Sequence, residues 1–199
     1  NLQSDKKITL VAVSKTFSLS HVKTLIDYGH QHYGENKVLE AINKWSVLLK
    51  KNNRIKLHMI GHLQSNKAKE AVSIFSYIHS LDSEKLANVL CKEEKIANKR
   101  IKYFIQVNIG EETQKSGIHI KDCKNFVLFC KKLNLNIQGL MCIPPFNKNP
   151  KDYFLKLKKL NDENNFSELS MGMSDDFQIA AEMGSTYVRI GTAIFGKRN

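Results

Sequence analysis

The chain has 199 residues and a mass of 22.8 kDa, a length that fits one large domain or two small ones. With 42% hydrophobic and 25% charged residues it has the composition of an ordinary folded protein, which excludes a disordered tail, a collagen-like fibre and a disulfide-stapled miniprotein. The net charge of +12 raises the question of nucleic-acid binding. However, only four of the 31 basic residues are arginines, and the lysines are spread along helix-like segments. We therefore expect a solvated basic surface and no nucleic-acid partner.

Short apolar runs alternate with amphipathic stretches along the chain. Runs such as ITLVAV and YFIQVNI are apolar at consecutive positions, which is typical of strands covered on both faces. In chain order, the runs predict eight strands, at residues 8–15, 31–35, 56–61, 77–81, 103–109, 137–143, 169–173 and 187–191. Seven helices are predicted between them, the first from a cap at Ser18 to Gly29 and the others at 37–49, 66–75, 83–98, 121–133, 151–161 and 176–183.

This alternation predicts an α/β fold, a single (β/α)8 TIM barrel that spans residues 1–199 as one domain. The alternative is a doubly wound open sheet, which would normally use fewer strands and place a glycine-rich turn after the first strand. The sequence there is VAVSKTF instead, so the barrel is preferred. Because active sites of barrels lie where strands end and the next loops begin, polar residues at those positions are the candidates for chemistry.

Lys15 ends the first predicted strand. At the mouth of a barrel, desolvation would lower the pKa of its amine, and a neutral amine can form a Schiff base with a carbonyl. A lysine that extends from the strand end into solvent is the alternative, and position alone does not separate the two. Asn36 and Asn66 also follow predicted strands, where a ligand contact and a loop turn are equally compatible with the pattern.

The last two predicted strands carry a candidate anion site. Arg189 lies within an apolar strand, so its charge must be directed into the barrel or paired. Gly191 and Thr192 follow it, and a glycine lets backbone amides approach an anion while the threonine adds a hydroxyl donor. Ser174 precedes a predicted helix, where it is a phosphate ligand, a helix cap or both. A lysine amine facing a phosphate site suggests an aldehyde that carries a phosphate, as pyridoxal 5′-phosphate (PLP) does.

Other signals for chemistry or targeting are weak. His58 and His62 are four residues apart on a strand and its following loop, where this spacing does not converge on a metal, so we expect no metal site. The sequence contains no GxSxG and no P-loop motif. It has no run of about 20 apolar residues, so no membrane span is expected. The four cysteines form no CxxC pair and are interpreted as isolated core residues in a reducing compartment, which predicts a cytoplasmic location.

Seven segments along the chain match the pattern of a known family: VAVSKT (11–16), YGEN (33–36), HMIGHLQSNK (58–67), QVNIGEETQKSGI (106–118), GLMCIPP (139–145), LSMGMSDD (169–176) and VRIGTAIFG (188–196). In this order they resemble the YggS/PROSC family of pyridoxal phosphate homeostasis proteins. The resemblance implies a protein that binds PLP without catalytic turnover and influences the balance of amino and keto acids. It implies that Lys15 holds PLP as an aldimine, that Ser174, Gly191 and Thr192 hold the phosphate and that Arg189 faces the pyridine nitrogen. Asn36, in the matching YGEN, is counted with these cofactor-binding residues.

The fold implied is similar to the barrel domain of alanine racemase without its β domain. An arginine at the ring nitrogen cannot release its proton, so the ring would be a weak electron sink. The main alternative is a racemase, but there the second base, a tyrosine, comes from the β domain, for which this chain has no residues left. An interaction module that uses the basic surface is the second alternative. We therefore expect a monomeric PLP carrier, with PLP-dependent apo-enzymes as candidate recipients.

Two features depart from the resemblance. Family members carry a helix before the first strand, whereas only seven residues precede Ile8, so one flank of the barrel is expected to be uncovered if that helix is missing. Phe17 stands where some members have a second lysine, whose role therefore cannot be transferred. Lys115, in ETQKSG, matches a family lysine and is a candidate secondary acceptor of the cofactor.

Overall fold

The computed structural model describes residues 7–196 and forms a closed barrel of eight parallel strands. Each strand pairs with the next along the chain, and the last pairs with the first through Thr9–Tyr187 and Ala12–Ile190. The predicted α/β barrel is therefore confirmed. The strands are β1 (Thr9–Val13), β2 (His32–Glu35), β3 (Lys56–Met59), β4 (Tyr77–Leu81), β5 (Lys102–Gln106), β6 (Asn136–Met141), β7 (Glu168–Ser170) and β8 (Tyr187–Ile190).

A helix follows each strand and covers the outside of the barrel. Ser18 caps the first helix as predicted, since its hydroxyl accepts a hydrogen bond from the His21 amide at 3.3 Å. Short 3-10 turns precede the third and fifth helices. The helices are α1 (Leu19–Asp27), α2 (Val38–Lys51), α3 (Ala68–Ile74), α4 (Glu84–Ala97), α5 (Cys123–Lys132), α6 (Pro150–Glu163), α7 (Phe177–Glu182) and α8 (Thr192–Phe195).

The core has two parts, one between the barrel and its helices and one inside the barrel. The outer part contains the fully buried Trp45 of α2, which packs on Tyr33 of β2 with ring centroids 4.8 Å apart. The inner part is a smaller cluster, and several polar side chains lie beside it inside the barrel. Its apolar members are Val11, Tyr77, Phe104, Met141 and Tyr187.

Several strands end earlier than the sequence predicts. β1 stops at Val13, so Lys15 lies in the loop after the strand rather than at its last position. β5 stops at Gln106, although Val107 and Ile109 are almost completely buried. Val107 and Ile109 are thus buried in a loop, so an apolar run does not distinguish the end of a strand from the start of a buried loop.

Helix α8 was not predicted, because four residues are too few for a periodic pattern. The expectation of a missing helix before β1 concerns a region that extends outside the described residues. Within residues 7–196, every helix is too short or too polar to span a bilayer.

Candidate functional site

One cavity at the mouth of the barrel brings together all six site residues predicted from the sequence. It has a volume of about 230 Å³ and lies at the carboxyl ends of the strands. The six come from four loops or strand ends that are far apart in sequence, and the parallel barrel places these ends on one face. The lining residues include Lys15, Asn36, Ser174, Arg189, Gly191 and Thr192, together with Val13, Ile60, Ile143 and Met173.

Lys15 lies in a tight turn two residues after β1. The Phe17 amide donates to the Ser14 carbonyl at 3.1 Å and closes the turn. Thr16 has φ +70°, a left-handed conformation that is strained for a β-branched residue and costs about 1–3 kcal/mol. Backbone strain of this kind is concentrated at functional sites, and here it fixes the residue next to the half-buried Lys15.

A buried ion pair holds the other side of this turn. Glu35 is fully buried at the end of β2, and its Oε1 accepts hydrogen bonds from Ser14 Oγ at 2.7 Å, Lys44 Nζ at 2.7 Å and Trp45 Nε1 at 2.9 Å. Lys44 Nζ also donates to the Ser14 carbonyl at 2.7 Å. Ser14 is therefore held through both its side chain and its backbone, directly before Lys15. The sequence reasoning missed this cluster, although Ser14 and Glu35 both occur in the segments SKT and GEN at strand ends.

Two backbone amides converge on Ser174, which lines the same cavity as Lys15. The Gly191 amide donates to Ser174 Oγ at 3.3 Å and the Ala193 amide at 3.5 Å, both from the start of α8. The expected helix-cap role of Ser174 is wrong, because α7 begins only at Phe177, and Asp176 occupies the cap position. Ser174 instead marks a point where two amides direct their hydrogens, which is the arrangement that binds an oxyanion.

Arg189 forms the floor of the cavity and is only 4% exposed. Its Nη1 donates to Ser170 Oγ at 2.6 Å and its Nη2 to the Cys142 carbonyl at 2.9 Å. Burial lowers the pKa of Arg189, but a guanidinium starts from so high a value that it stays charged. Burial also raises the pKa of the Cys142 thiol to about 12, so this neighbouring sulfur is a neutral thiol. Behind the site, Ser170 Oγ lies 2.8 Å from Nδ1 of His79, a residue that the sequence reasoning did not identify.

Comparison with known proteins assigns the chain to a family. Residues 3–199 match the family described as alanine racemase, N-terminal domain. The pyridoxal phosphate homeostasis protein of Aquifex aeolicus is 39% identical over 199 residues, which cover 95% of this chain and 86% of the relative. The chain belongs to the pyridoxal phosphate homeostasis protein family. The resemblance found in the sequence is thereby confirmed.

Solved structures of relatives support the fold. PipY of Synechococcus elongatus, solved with PLP bound, is 32% identical with a TM-score of 0.88, and the match covers 95% of this chain and 92% of PipY. Alanine racemase from Bartonella henselae, with covalently bound PLP, has a TM-score of 0.75 at 14% identity and shows the shared fold alone. That match covers 98% of this chain but only 56% of the racemase, so the fold of this chain corresponds to the barrel part of that enzyme.

Two other residues considered in the sequence analysis, Lys115 and Asn66, do not line the cavity. Lys115 Nζ pairs with Glu112 Oε2 at 2.7 Å and lies 3.4 Å from the Pro144 carbonyl, in the long loop after β5. It is not among the residues that line the cavity, and neither is Asn66, which lies in the 3-10 turn before α3.

Asn36 also borders a second cavity of about 500 Å³ between the loops that follow β2 and β3. The loops approach closely because residue 61 is glycine: a Cβ there would lie 2.4 Å from the Asn36 carbonyl oxygen. A loop turn and a ligand contact were the two alternatives for Asn36, and the structure is compatible with both. The backbone of Asn36 packs on Gly61 in the loop, and the residue also lines the mouth cavity.

Proposed function

We propose that this chain binds PLP reversibly through a Schiff base with Lys15 and acts in PLP homeostasis rather than in catalytic turnover. The observation that carries the proposal is one cavity lined by the amine of Lys15, the guanidinium of Arg189 and Ser174, on which two backbone amides converge. An aldehyde, a pyridine nitrogen and a phosphate on one small ring require these three kinds of partner. The family name and the PLP-bound PipY structure support it.

The residues of the cavity fit this ligand chemically. Ser174 Oγ is a neutral oxygen that already occupies the position to which Gly191 and Ala193 direct their amides, and phosphate oxygens are stronger acceptors than a hydroxyl. Arg189 uses two of its N–H groups on Ser170 and Cys142, which leaves others to donate to an acceptor such as a ring nitrogen. When bound, PLP would supply a carbonyl that reacts with amines and a ring that withdraws electrons.

We expect substitution of Gly191 to weaken PLP binding more than substitution of its neighbour. A Cβ at position 191 would lie 3.3 Å from both the Cβ and the carbonyl oxygen of Val13, so Gly191→Val should displace the amide that serves the phosphate. Thr192→Val removes one hydroxyl of an exposed residue and keeps the backbone. Since charge-assisted hydrogen bonds contribute about 1.5–3 kcal/mol each, Gly191→Val should raise the Kd at least tenfold and Thr192→Val by less. Fluorescence titration of cofactor-free protein with PLP measures both, and equal small effects would contradict this phosphate position.

We expect no useful racemase or transaminase activity. Arg189 cannot protonate a ring nitrogen, so the chain lacks the strong electron sink that proton abstraction from an amino acid requires. Incubation of the PLP-loaded protein with L-alanine in deuterated water, followed by NMR of the α-proton, tests this expectation. Fewer than one exchange per site over hours would support the carrier role, whereas many exchanges per site would show that the chain is an enzyme.

The wider cellular role follows from this chemistry as a proposal. A protein that holds a reactive aldehyde on a lysine can limit free PLP and release it to PLP-dependent apo-enzymes, which would affect the balance of amino and keto acids. We also propose a cytoplasmic monomer without a nucleic-acid partner. DNA binding in the low-micromolar range with a steep salt dependence would favour the interaction-module alternative instead.

A further inference from the structure

A continuous row of polar side chains crosses the interior of the barrel from Arg189 to the opposite end. Arg189 Nη1 bonds to Ser170 Oγ at 2.6 Å, and Ser170 Oγ lies 2.8 Å from His79 Nδ1. His79 Nε2 lies 2.9 Å from His58 Nδ1, and His58 Nε2 lies 2.9 Å from His32 Nδ1. We call these five residues the interior chain. Barrel interiors are usually filled by branched apolar side chains, so this row calls for an explanation.

The donors of the interior chain can be assigned from Arg189 outwards. A guanidinium can only donate, so Ser170 Oγ accepts from it. Within residues 7–196, His79 Nδ1 is the only acceptor in reach of the Ser170 hydroxyl hydrogen, so we assign Ser170 as the donor to His79. His79 must then carry its hydrogen on Nε2 and donate to His58 Nδ1. The same step makes His58 donate from Nε2 to His32 Nδ1. All three histidines are therefore neutral Nε2–H tautomers, and every hydrogen bond points away from Arg189.

The surroundings keep these imidazoles neutral. His58 and His79 are fully buried. The ring of His58 stacks on that of Tyr77 with centroids 4.2 Å apart, and the ring of His79 stacks on that of Phe104 with centroids 4.5 Å apart. Burial lowers the pKa of both well below the usual value, and the charge of Arg189 lowers that of His79 further.

The far end of the interior chain is held neutral as well. Burial, followed by Coulombic interactions with His30, Lys56 and Lys102, lowers the pKa of His32 to about 4. Protonation of His32 on Nδ1 would oblige it to donate towards His58 and would reverse each bond as far as Ser170. At neutral pH the chain therefore keeps its direction.

An oriented row of this kind stabilises a buried cation. The hydrogen bonds described for the Arg189 guanidinium go to the neutral oxygens of Ser170 and Cys142. Each imidazole of the row turns its unprotonated nitrogen, the negative end of its dipole, towards Arg189, and hydrogen bonds in a chain polarise one another. We propose that Ser170, His79, His58 and His32 are positioning residues that hold the Arg189 guanidinium charged and fixed at the floor of the PLP cavity. The consequence for PLP rests on the proposed function, but the interior chain is a property of the protein without cofactor.

The first test needs no variant and no cofactor. In protein labelled with 15N-histidine, long-range proton–nitrogen correlation spectra distinguish the Nδ1–H and Nε2–H tautomers and the charged ring. We expect His32, His58 and His79 to remain neutral Nε2–H forms from pH 8 to pH 5.5, the range in which an unperturbed imidazole becomes charged. A charged ring or an Nδ1–H tautomer at His58 or His79 in this range would overturn the proposal.

The second test cuts the interior chain next to Arg189. Ser170→Ala removes the oxygen that joins Arg189 to His79, and Ser80→Ala is the matched control, since Ser80 is equally buried beside His79 but its hydroxyl has no partner within residues 7–196. In cofactor-free protein, we expect exchange-protected guanidinium signals of Arg189 in the wild type and in Ser80→Ala, and their loss in Ser170→Ala. We also expect Ser170→Ala to raise the Kd for PLP about tenfold or more.

The outcomes separate the two proposals. Unchanged guanidinium signals in folded Ser170→Ala, or equal effects of both serine variants, would show that the interior chain does not position Arg189. If the three tautomers and the guanidinium signals are as expected but the wild type binds no PLP, the positioning of Arg189 is supported and the proposed function is wrong. Ser170→Thr, which keeps the hydroxyl, should restore the guanidinium signals.

Discussion

Replacing Lys15 by alanine is expected to abolish covalent attachment of PLP. The wild-type protein loaded with PLP should absorb visible light, and borohydride should fix the cofactor to the peptide that contains VAVSKT. Lys15→Ala should lose both the band and the adduct. Ser174 and Gly191, the proposed phosphate ligands, lie on other loops, so the variant should still bind PLP weakly and without a covalent bond. Absorption spectra and mass spectrometry of the reduced peptide measure these effects.

The fold should survive this substitution. Lys15 lies in the loop after β1 and is half-buried, whereas the core beneath it is formed by strand residues such as Val11. Lys37→Ala is a suitable control, because Lys37 is exposed on the next loop around the mouth and should leave the Lys15 adduct unchanged. A reduced adduct found mainly on Lys115 or on surface lysines would contradict the assignment, and unfolding of Lys15→Ala would show that the residue is structural.

Replacing Lys44 by methionine is expected to lower the free energy of unfolding by about 3–5 kcal/mol. The substitution leaves the Glu35 carboxylate buried without its cation, and breaking one side of a buried ion pair is costly because the remaining charge stays out of water. Urea unfolding followed by circular dichroism measures the difference. Because Lys44 also holds the Ser14 carbonyl, the turn that carries Lys15 should loosen, and PLP should bind more weakly in the folded fraction.

Two variants separate charge burial from simple loss of packing. Lys37→Met breaks an exposed pair with Glu40, whose side chains are 75% and 43% exposed, and should cost less than about 1 kcal/mol. The double variant Glu35→Gln with Lys44→Met removes both charges and should be more stable than Lys44→Met alone. A double variant that is less stable than the single one would show that packing of the Lys44 stem, rather than the unpaired charge, dominates.

The sequence was sufficient to predict the barrel and the six residues around its mouth cavity. Period and apolarity give eight strands, and a parallel barrel leaves one face for the ends of all of them. Lys15, Arg189 and Ser174 could thus be predicted to face one another without knowledge of any distance. Local patterns were less informative about where each element ends, as the early end of β1 and the position of Ser174 outside a helix cap show.

The interior chain could not be predicted in the same way. The sequence singled out His58 and His62 only as a pair whose spacing does not converge on a metal. In the structure His58 points into the barrel, and His62 lies 3.6 Å from Asp82 at the mouth. The partners of His58 come from β2 and β4, and each is more than 20 residues away along the chain. Side chains of different strands meet inside a barrel according to register and stagger, which a single sequence does not reveal.

The sequence by itself determined the fold class and the chemistry available at the mouth, because both depend on residue type and on order along the chain. Only the tertiary structure decided how those groups are held. Two sets of hydrogen bonds of about 3 Å hold them. The Glu35–Lys44 pair lies behind Lys15, and the interior chain lies behind Arg189. Such contacts depend on how the side chains of different strands and helices are oriented in the closed barrel. Burial then strengthens each contact, because water no longer competes for the same hydrogen bonds.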